Sequence, residues 1–274
     1  MAMKRLAVAS GKGGTGKTTV AVGLALASGG ATLLDCDVEA PNAHILLGTQ
    51  PKDIEDVEIP YPVVDHERCT LCRKCAEFCT YHALLTMNQR VILLEDLCHG
   101  CGGCSIVCPE KAISEERRSI GKVQYSQAHG VALYTGVVNI GVPSVTPVVD
   151  AVKGHLSEGV NILDAPPGTG CPVVATVADV DFVLLVTEPT PFGLQDLRMA
   201  VSLLRALNLP MGVVINKDGI GDDRVDRYCS DEGIEILERI PYSKKIAREY
   251  SSGRHFLLGQ REWLPRFRDL LEVL

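Results

Sequence analysis

Positive charge is scarce in this 274-residue chain: 27 Lys and Arg stand against 34 Asp and Glu, a formal net charge of −7. That balance excludes a broad basic surface of the kind that grips nucleic acid. No low-complexity segment is evident, and no secretory leader is expected. Met1–Ser10 holds a basic pair and some apolar residues, but a Gly-rich turn follows at once where a cleavage region would stand. From Val123 to Val149 there is no Asp, Glu, Lys or Arg, which invites a membrane reading. Gly130, Gly136, Gly141, Pro143 and Pro147 break that stretch, so we expect buried strands and turns instead. These absences lead us to expect a cytoplasmic protein with neither a nucleic-acid nor a membrane partner. The length allows one large α/β domain with a small insert.

Cysteine is plentiful and local. Of 11 cysteines, eight lie between Cys69 and Cys108. A secreted disulfide framework fits poorly, because the chain is long and the thiols occupy one segment. Cys69-x2-Cys72-x2-Cys75-x3-Cys79 recurs, 29 residues on, as Cys98-x2-Cys101-x2-Cys104-x3-Cys108. C-x2-C-x2-C-x3-C-P is the bacterial ferredoxin run, in which the fourth cysteine of each run ligates the other cluster. The pattern predicts Cys69, Cys72, Cys75 and Cys108 on one 4Fe–4S cluster, and Cys98, Cys101, Cys104 and Cys79 on a second. Pro109 completes the second run, and Thr80 replaces that proline in the first. Zinc is the alternative for thiolates, but two complete runs exceed a four-cysteine zinc site. Such clusters serve electron transfer or structure, and both readings stand. Cys36 and Cys229 read as small buried residues.

Outside that segment, strands and helices alternate. Strands are expected at Arg5–Ser10, Ala31–Leu34, Ala132–Val138, Val160–Leu163, Phe182–Val186, Gly212–Ile215 and Ile234–Leu237. Helices are expected at Lys17–Ser28, Leu194–Leu207 and Asp223–Glu232. Pro51–Pro62 is acidic and proline-containing, like a linker. The pattern predicts one α/β domain with a mostly parallel sheet flanked by helices, interrupted once: residues 1–58 and 116–274 form it, and 59–115 form a small α+β insert. At the end, Trp263, Leu264, Phe267, Leu270, Leu271 and Leu274 share one helical face, expected to pack on the sheet layer.

Gly11-Lys12-Gly13-Gly14-Thr15-Gly16-Lys17-Thr18 fits G-x4-G-K-[ST]. Glycines let backbone N–H groups turn toward phosphate oxygens, and the following helix offers its N-terminus to the anion. Lys17 is placed for the β- and γ-phosphates and Thr18 for Mg²⁺. Gly11, Gly13 and Gly16 also fit G-x-G-x-x-G with Asp35 downstream, a dinucleotide fingerprint. The Lys17-Thr18 pair favours a triphosphate with Mg²⁺ over a dinucleotide. Asn161–Asp164 is an apolar strand ending in an acid, the form of a residue that holds Mg²⁺ through water. Asp37 is a candidate to orient water or act as base, and Asn216 a candidate to read the base.

Ser10–Thr19, with Lys12 as an early second lysine, resembles the deviant Walker A loop of the MinD/ParA/Mrp-like P-loop ATPases, the nitrogenase iron protein superfamily. The likeness extends to Asp164-Ala-Pro-Pro-Gly168 and Thr187-Glu-Pro-Thr190, and with the cysteine segment to members that carry an inserted ferredoxin-like domain. It implies a SIMIBI-type P-loop NTPase fold, ATP binding by residues 11–19, and a homodimer that closes on ATP. In that dimer Lys12 touches the partner's phosphates, and Asp37 and Asp164 belong to switch segments. Cys171 stands where the nitrogenase iron protein has a cluster ligand. That protein's second ligand and the C-x-x-C of the carrier branch have no counterpart here, so Cys171 is expected to be a packed thiol. Three functions follow: ATP-gated electron transfer to an acceptor, iron–sulfur cluster carriage to a client, or nucleotide-dependent positioning with structural clusters.

Overall fold

The structure is a computed structural model that describes residues 4–274. Met1–Met3, part of the leader segment considered above, lie outside the described residues. The strands are β1 (Lys4–Ala9), β2 (Thr32–Asp35), β3 (Lys52–Val64), β4 (Leu84–Met87), β5 (Arg90–Leu93), β6 (Ile113–Ala128), β7 (Val131–Val138), β8 (Val160–Asp164), β9 (Phe182–Thr187), β10 (Met211–Asp218) and β11 (Ile236–Pro241). The helices are α1 (Lys17–Ser28), α2 (Ala43–Leu47), α3 (Lys74–Phe78), α4 (Gly103–Val107), α5 (Thr146–Lys153), α6 (Cys171–Val177), α7 (Pro191–Ala206), α8 (Arg224–Asp231), α9 (Lys244–Ser251) and α10 (Leu264–Val273).

Nine strands form one sheet in the order β11-β10-β9-β1-β8-β2-β7-β6-β3. The run from β11 to β7 is parallel, and β6 and β3 add to its edge antiparallel. Central strands are apolar on both faces, as parallel strands covered by helices must be. In β1, Leu6 and Val8 face a core shared with α1 and α10, whereas Ala7 and Ala9 face the one shared with α5, α6, α7 and α8. Parallel pairing puts the C-terminal ends of β1, β2, β8, β9 and β10 along one edge, where the doubly wound architecture builds its sites.

The terminal helix α10 packs on α1 through Phe267 and Leu270, both buried. A Cβ at Gly23 of α1 would overlap the Phe267 ring, so only glycine permits this approach. No described helix is long and apolar enough to cross a membrane.

One expectation needs correction. Pro51–Pro62 is not a linker: it lies almost wholly in β3, which pairs with β6 from Lys52↔Tyr125 to Val64↔Ile113. β3 is the outermost strand, so the missing N–H groups of Pro60 and Pro62 leave no ladder unmade. Val57 and Ile59 are buried against the main core, and Pro62, on the opposite face, is buried beside the second cysteine run. The exposed Lys52, Asp53, Glu55, Asp56 and Glu58 produce the linker-like composition. Positions 59 and 115 therefore fall inside two paired strands. Beyond them the hairpin β4–β5, α3 and α4 surround a small separate core of Cys75, Leu84, Val91 and Ile113.

Candidate functional site

Two groups of side chains stand out. The first lies on the sheet edge named above. The loop from Gly11 to Gly16 joins β1 to α1 and is tightly held. A Cβ at Gly11 would overlap the Asp196 carbonyl of α7, and one at Gly16 the Asn216 amide. Asn216, at the end of β10, donates from Nδ2 to the Thr15 carbonyl (2.7 Å) and accepts the Lys217 N–H at Oδ1 (2.9 Å). Its amide thus supports the loop directly. Gly13, Gly14, Gly16, Lys17, Thr18, Thr19, Asp37 and Asn216 line one large cleft, whose far wall is Pro241, Tyr242, Ile246 and Tyr250.

Three carboxylates converge behind Lys17. Asp35 and Asp164 pair across β2 and β8 and are fully buried. Asp35 accepts the backbone N–H groups of Asp37 (3.3 Å), Asn42 (3.1 Å) and Ala43 (3.1 Å), which fastens the segment after β2. Burial and the Asp164 charge hold its carboxyl well above the usual range. Neither oxygen of Asp164 has a hydrogen-bond partner. Burial pushes its pKa up to about 7, against the pull of Lys17 and the nearby Thr18 hydroxyl, with Asp37 adding to the rise. Burial also raises Asp37, opposed by Lys17 and assisted by Glu39. A buried carboxylate with two orphaned oxygens beside a helix N-terminus and a buried lysine fits a polyphosphate with its divalent cation.

Lys12 points away from this cleft. Its Nζ pairs with Glu188 Oε1 at 2.8 Å, and Lys217 Nζ pairs with Glu188 Oε2 at 3.0 Å. Lys217 also donates to the Gly14 carbonyl (3.1 Å). The Glu188 side chain is 11% exposed, against 31% and 38% for the two lysines. Burial would raise its carboxyl, but the lysines outweigh it and hold the pKa low. Sequence analysis assigns no role to Glu188 or Lys217, although an acid at the end of the buried strand β9 was the available signal. It missed His255 as well, which donates from Nε2 to the Thr19 carbonyl (2.7 Å) and accepts the Leu257 N–H at Nδ1 (3.2 Å).

The second group is the cysteine segment, where the sequence repeat is a structural repeat. Left-handed backbone occurs in pairs 29 residues apart: Leu71 and Gly100, Arg73 and Gly102, His82 and Lys111. Ala83 N–H donates to Cys79 Sγ and Ala112 N–H to Cys108 Sγ, both at 3.3 Å. The strands exchange partners: Val64, before the first run, pairs with Ile113 after the second, and Leu93, before the second, pairs with Leu84 after the first. This crossing brings Cys108 to Cys69, Cys72 and Cys75 around one cavity, closed by Val64, Val91 and Ile113. It brings Cys79 to Cys98, Cys101 and Cys104 around another, with Pro60, Pro62, Leu84 and Leu93. Tyr81 and His99 stack at the second cavity, ring centroids 3.6 Å apart.

All the cysteines are free thiols. Burial raises Cys75 and Cys98, and raises Cys104 to about 11. Among the described residues no group of three His, Cys, Asp or Glu side chains is placed to hold a single metal ion. Each foursome instead stands around an open volume, an arrangement that suits a group of several atoms. Cys36 and Cys229 are buried. Cys171 corrects its expectation: at the start of α6 it is exposed, not packed.

The chain matches the CobQ/CobB/MinD/ParA nucleotide binding domain over residues 6–256. It is 34% identical over 262 residues to an uncharacterized protein of Methanocaldococcus jannaschii, covering 93% of this chain and 92% of that one. It is 27% identical over 293 residues to an iron-sulfur cluster carrier protein of Pyrococcus abyssi, covering 98% and 85%. The septum site-determining protein MinD of Pyrococcus horikoshii, solved with Mg-ADP, shares the fold at a TM-score of 0.61 and 19% identity, covering 98% of this chain and 95% of that one.

Proposed function

The chain belongs to the CobQ/CobB/MinD/ParA family of P-loop ATPases, and from that premise we propose that it is an ATP-driven homodimeric switch that holds two 4Fe–4S clusters in residues 59–115 and gates electron transfer to an acceptor. The observation that carries this reading is the crossed placement of eight thiols around two cavities. Four thiols and a wall of apolar side chains on each cavity suit a resident group better than one in transit. A cluster held there supplies one-electron chemistry.

The protein's own residues have these roles. Residues 11–19 bind the triphosphate, Lys17 neutralises its β- and γ-oxygens, and Thr18 ligates Mg²⁺. Asp164 holds that ion through water, which gives its orphaned oxygens their partners. Asp37 orients the attacking water, and Lys12 reaches the partner protomer's phosphates. Asn216 supports the loop and would be the residue that reads the base.

A second reading, delivery of clusters to a client protein, draws on the carrier relatives and on the exposure of Cys72 and Cys101. One experiment separates the two. Protein purified without oxygen is expected to hold about eight irons per chain that reduce and reoxidise reversibly and stay bound when ATP and an iron-free acceptor protein are added. ATP-dependent loss of iron to that acceptor would favour delivery. Stoichiometric zinc would overturn the cluster assignment.

A further inference from the structure

The pairing of Lys12 with Glu188 lies within one chain, yet the proposed role of Lys12 is in the other protomer. Lys12 cannot hold both positions. Leaving Glu188 would strand a carboxylate that is 11% exposed, and a buried charge deprived of its partner is expensive. Lys217 changes that balance. It holds the other oxygen of the same carboxylate at 3.0 Å, and its Nζ is anchored a second time on the Gly14 carbonyl. Its backbone is left-handed, with φ 55°, a conformation unusual for a side-chain-bearing residue. The Asn216 Oδ1 contact to the Lys217 N–H braces that turn. Lys217 is therefore fixed by the P-loop side of the site and stays when Lys12 departs.

We infer that Glu188 and Lys217 are positioning residues for Lys12. Glu188 parks it in the free protomer, and Lys217 is the standing counter-ion that lets it leave for the nucleotide of a second copy of this chain. This rests on the reading that Lys12 acts across a dimer. The three side chains come from three different segments: the P-loop, the end of β9 and the end of β10. Their meeting on one carboxylate is not a consequence of any single local motif. The arrangement also connects the loop that binds phosphate to the release of Lys12, because Gly14 and Glu188 share Lys217. A protomer is thus kept from presenting a loose cation at its surface before it meets its partner.

The test is dimerisation of the full-length protein by analytical ultracentrifugation, titrated in a non-hydrolysable ATP analogue with Mg²⁺. Lys217→Met, which keeps most of the side-chain volume, is expected to weaken nucleotide-dependent dimerisation at least tenfold, because Lys12 then remains the only counter-ion of Glu188. Glu188→Gln is expected to dimerise as well as the wild type or better. Glu188→Gln combined with Lys217→Met is expected to recover most of the tenfold loss, a rescue that a merely structural lysine would not show. Thermal melting identifies folded variants, and the double variant carries the test if Lys217→Met alone is unstable. Equal weakening by Glu188→Gln, or absence of rescue, overturns the inference. Normal dimerisation of Lys12→Ala instead overturns the reading beneath it.

Discussion

Asp164→Asn should make the nucleotide-free protein more stable while removing its ability to use Mg·ATP. The carboxyl is fully buried without a hydrogen-bond partner, and its pKa stands at about 7 against an ordinary 3.8. A raised folded-state pKa means that the ionised form is penalised by folding. At a pH of about 8 the whole penalty is present; each unit is worth ~1.4 kcal/mol, so it is about 4 kcal/mol. As pH falls through 7 the folded protein takes up the proton first and the penalty shrinks. Below about 4 the unfolded chain is protonated too, and the advantage of asparagine vanishes. Lys17 loses part of its counter-charge in the variant, although Asp37 remains, so a net gain of about 2–4 kcal/mol is expected, or roughly 5–10 °C in melting temperature. The assay is thermal unfolding of both proteins at about pH 8 and pH 4.5, without nucleotide and with Mg·ADP. Mg·ADP should raise the wild type more than the variant. A loss of stability, or a gain of the same size at both pH values, would refute the reasoning.

Further outcomes follow from other sites. Burial lowers His255 to about 4, so its contribution is complete above the unfolded value of about 6.5 and is lost as pH falls toward 4; the stability difference between the wild type and His255→Gln should shift by about 3 kcal/mol over that window, as read by urea unfolding at several pH values. If Cys108 serves the first run, Cys108→Ser should deplete the same cluster as Cys72→Ser, leaving about four irons per chain and one reduced-cluster signal by electron paramagnetic resonance. Cys79→Ser should spare that cluster and deplete the other.

The main sheet was legible because its strands are covered on both faces and read as short apolar runs, as at Phe182–Thr187. Helix α1 was placed to the residue, since Gly16 before it and Gly29 after it are both left-handed caps. The ribbon of β3 and β6 was not legible: an edge strand that is mostly exposed carries charge and proline, and nothing local distinguishes it from a linker. The cysteine spacing made the two foursomes readable in advance, because each run supplies a compact set and the repeat supplies the symmetry. Glu188 and Lys217 were hidden for a different reason. They are neighbours only through strand order, 29 positions apart in the chain, and no periodicity encodes that meeting. Cys171 misled because a cysteine between Gly170 and Pro172 gives no pattern of burial to read.

The β3–β6 ribbon has a mechanical consequence. A hinge is a short stretch whose dihedral angles change without tearing paired strands apart. Between Lys52 and Val64 the ladder is interrupted only at two irregularities, near Ile54 and after Val57, and Ile59 is built into the main core while it also abuts Gly100 of the second cysteine run. The cysteine segment is therefore joined to the main sheet by paired strands and not by a free linker. Its distance from the P-loop is set by the number of paired residues in the ribbon. Lengthening both strands by two residues would carry each thiol cavity outward by about 7 Å with its side-chain facing preserved, which makes the ribbon a ruler for whatever meets the protein there.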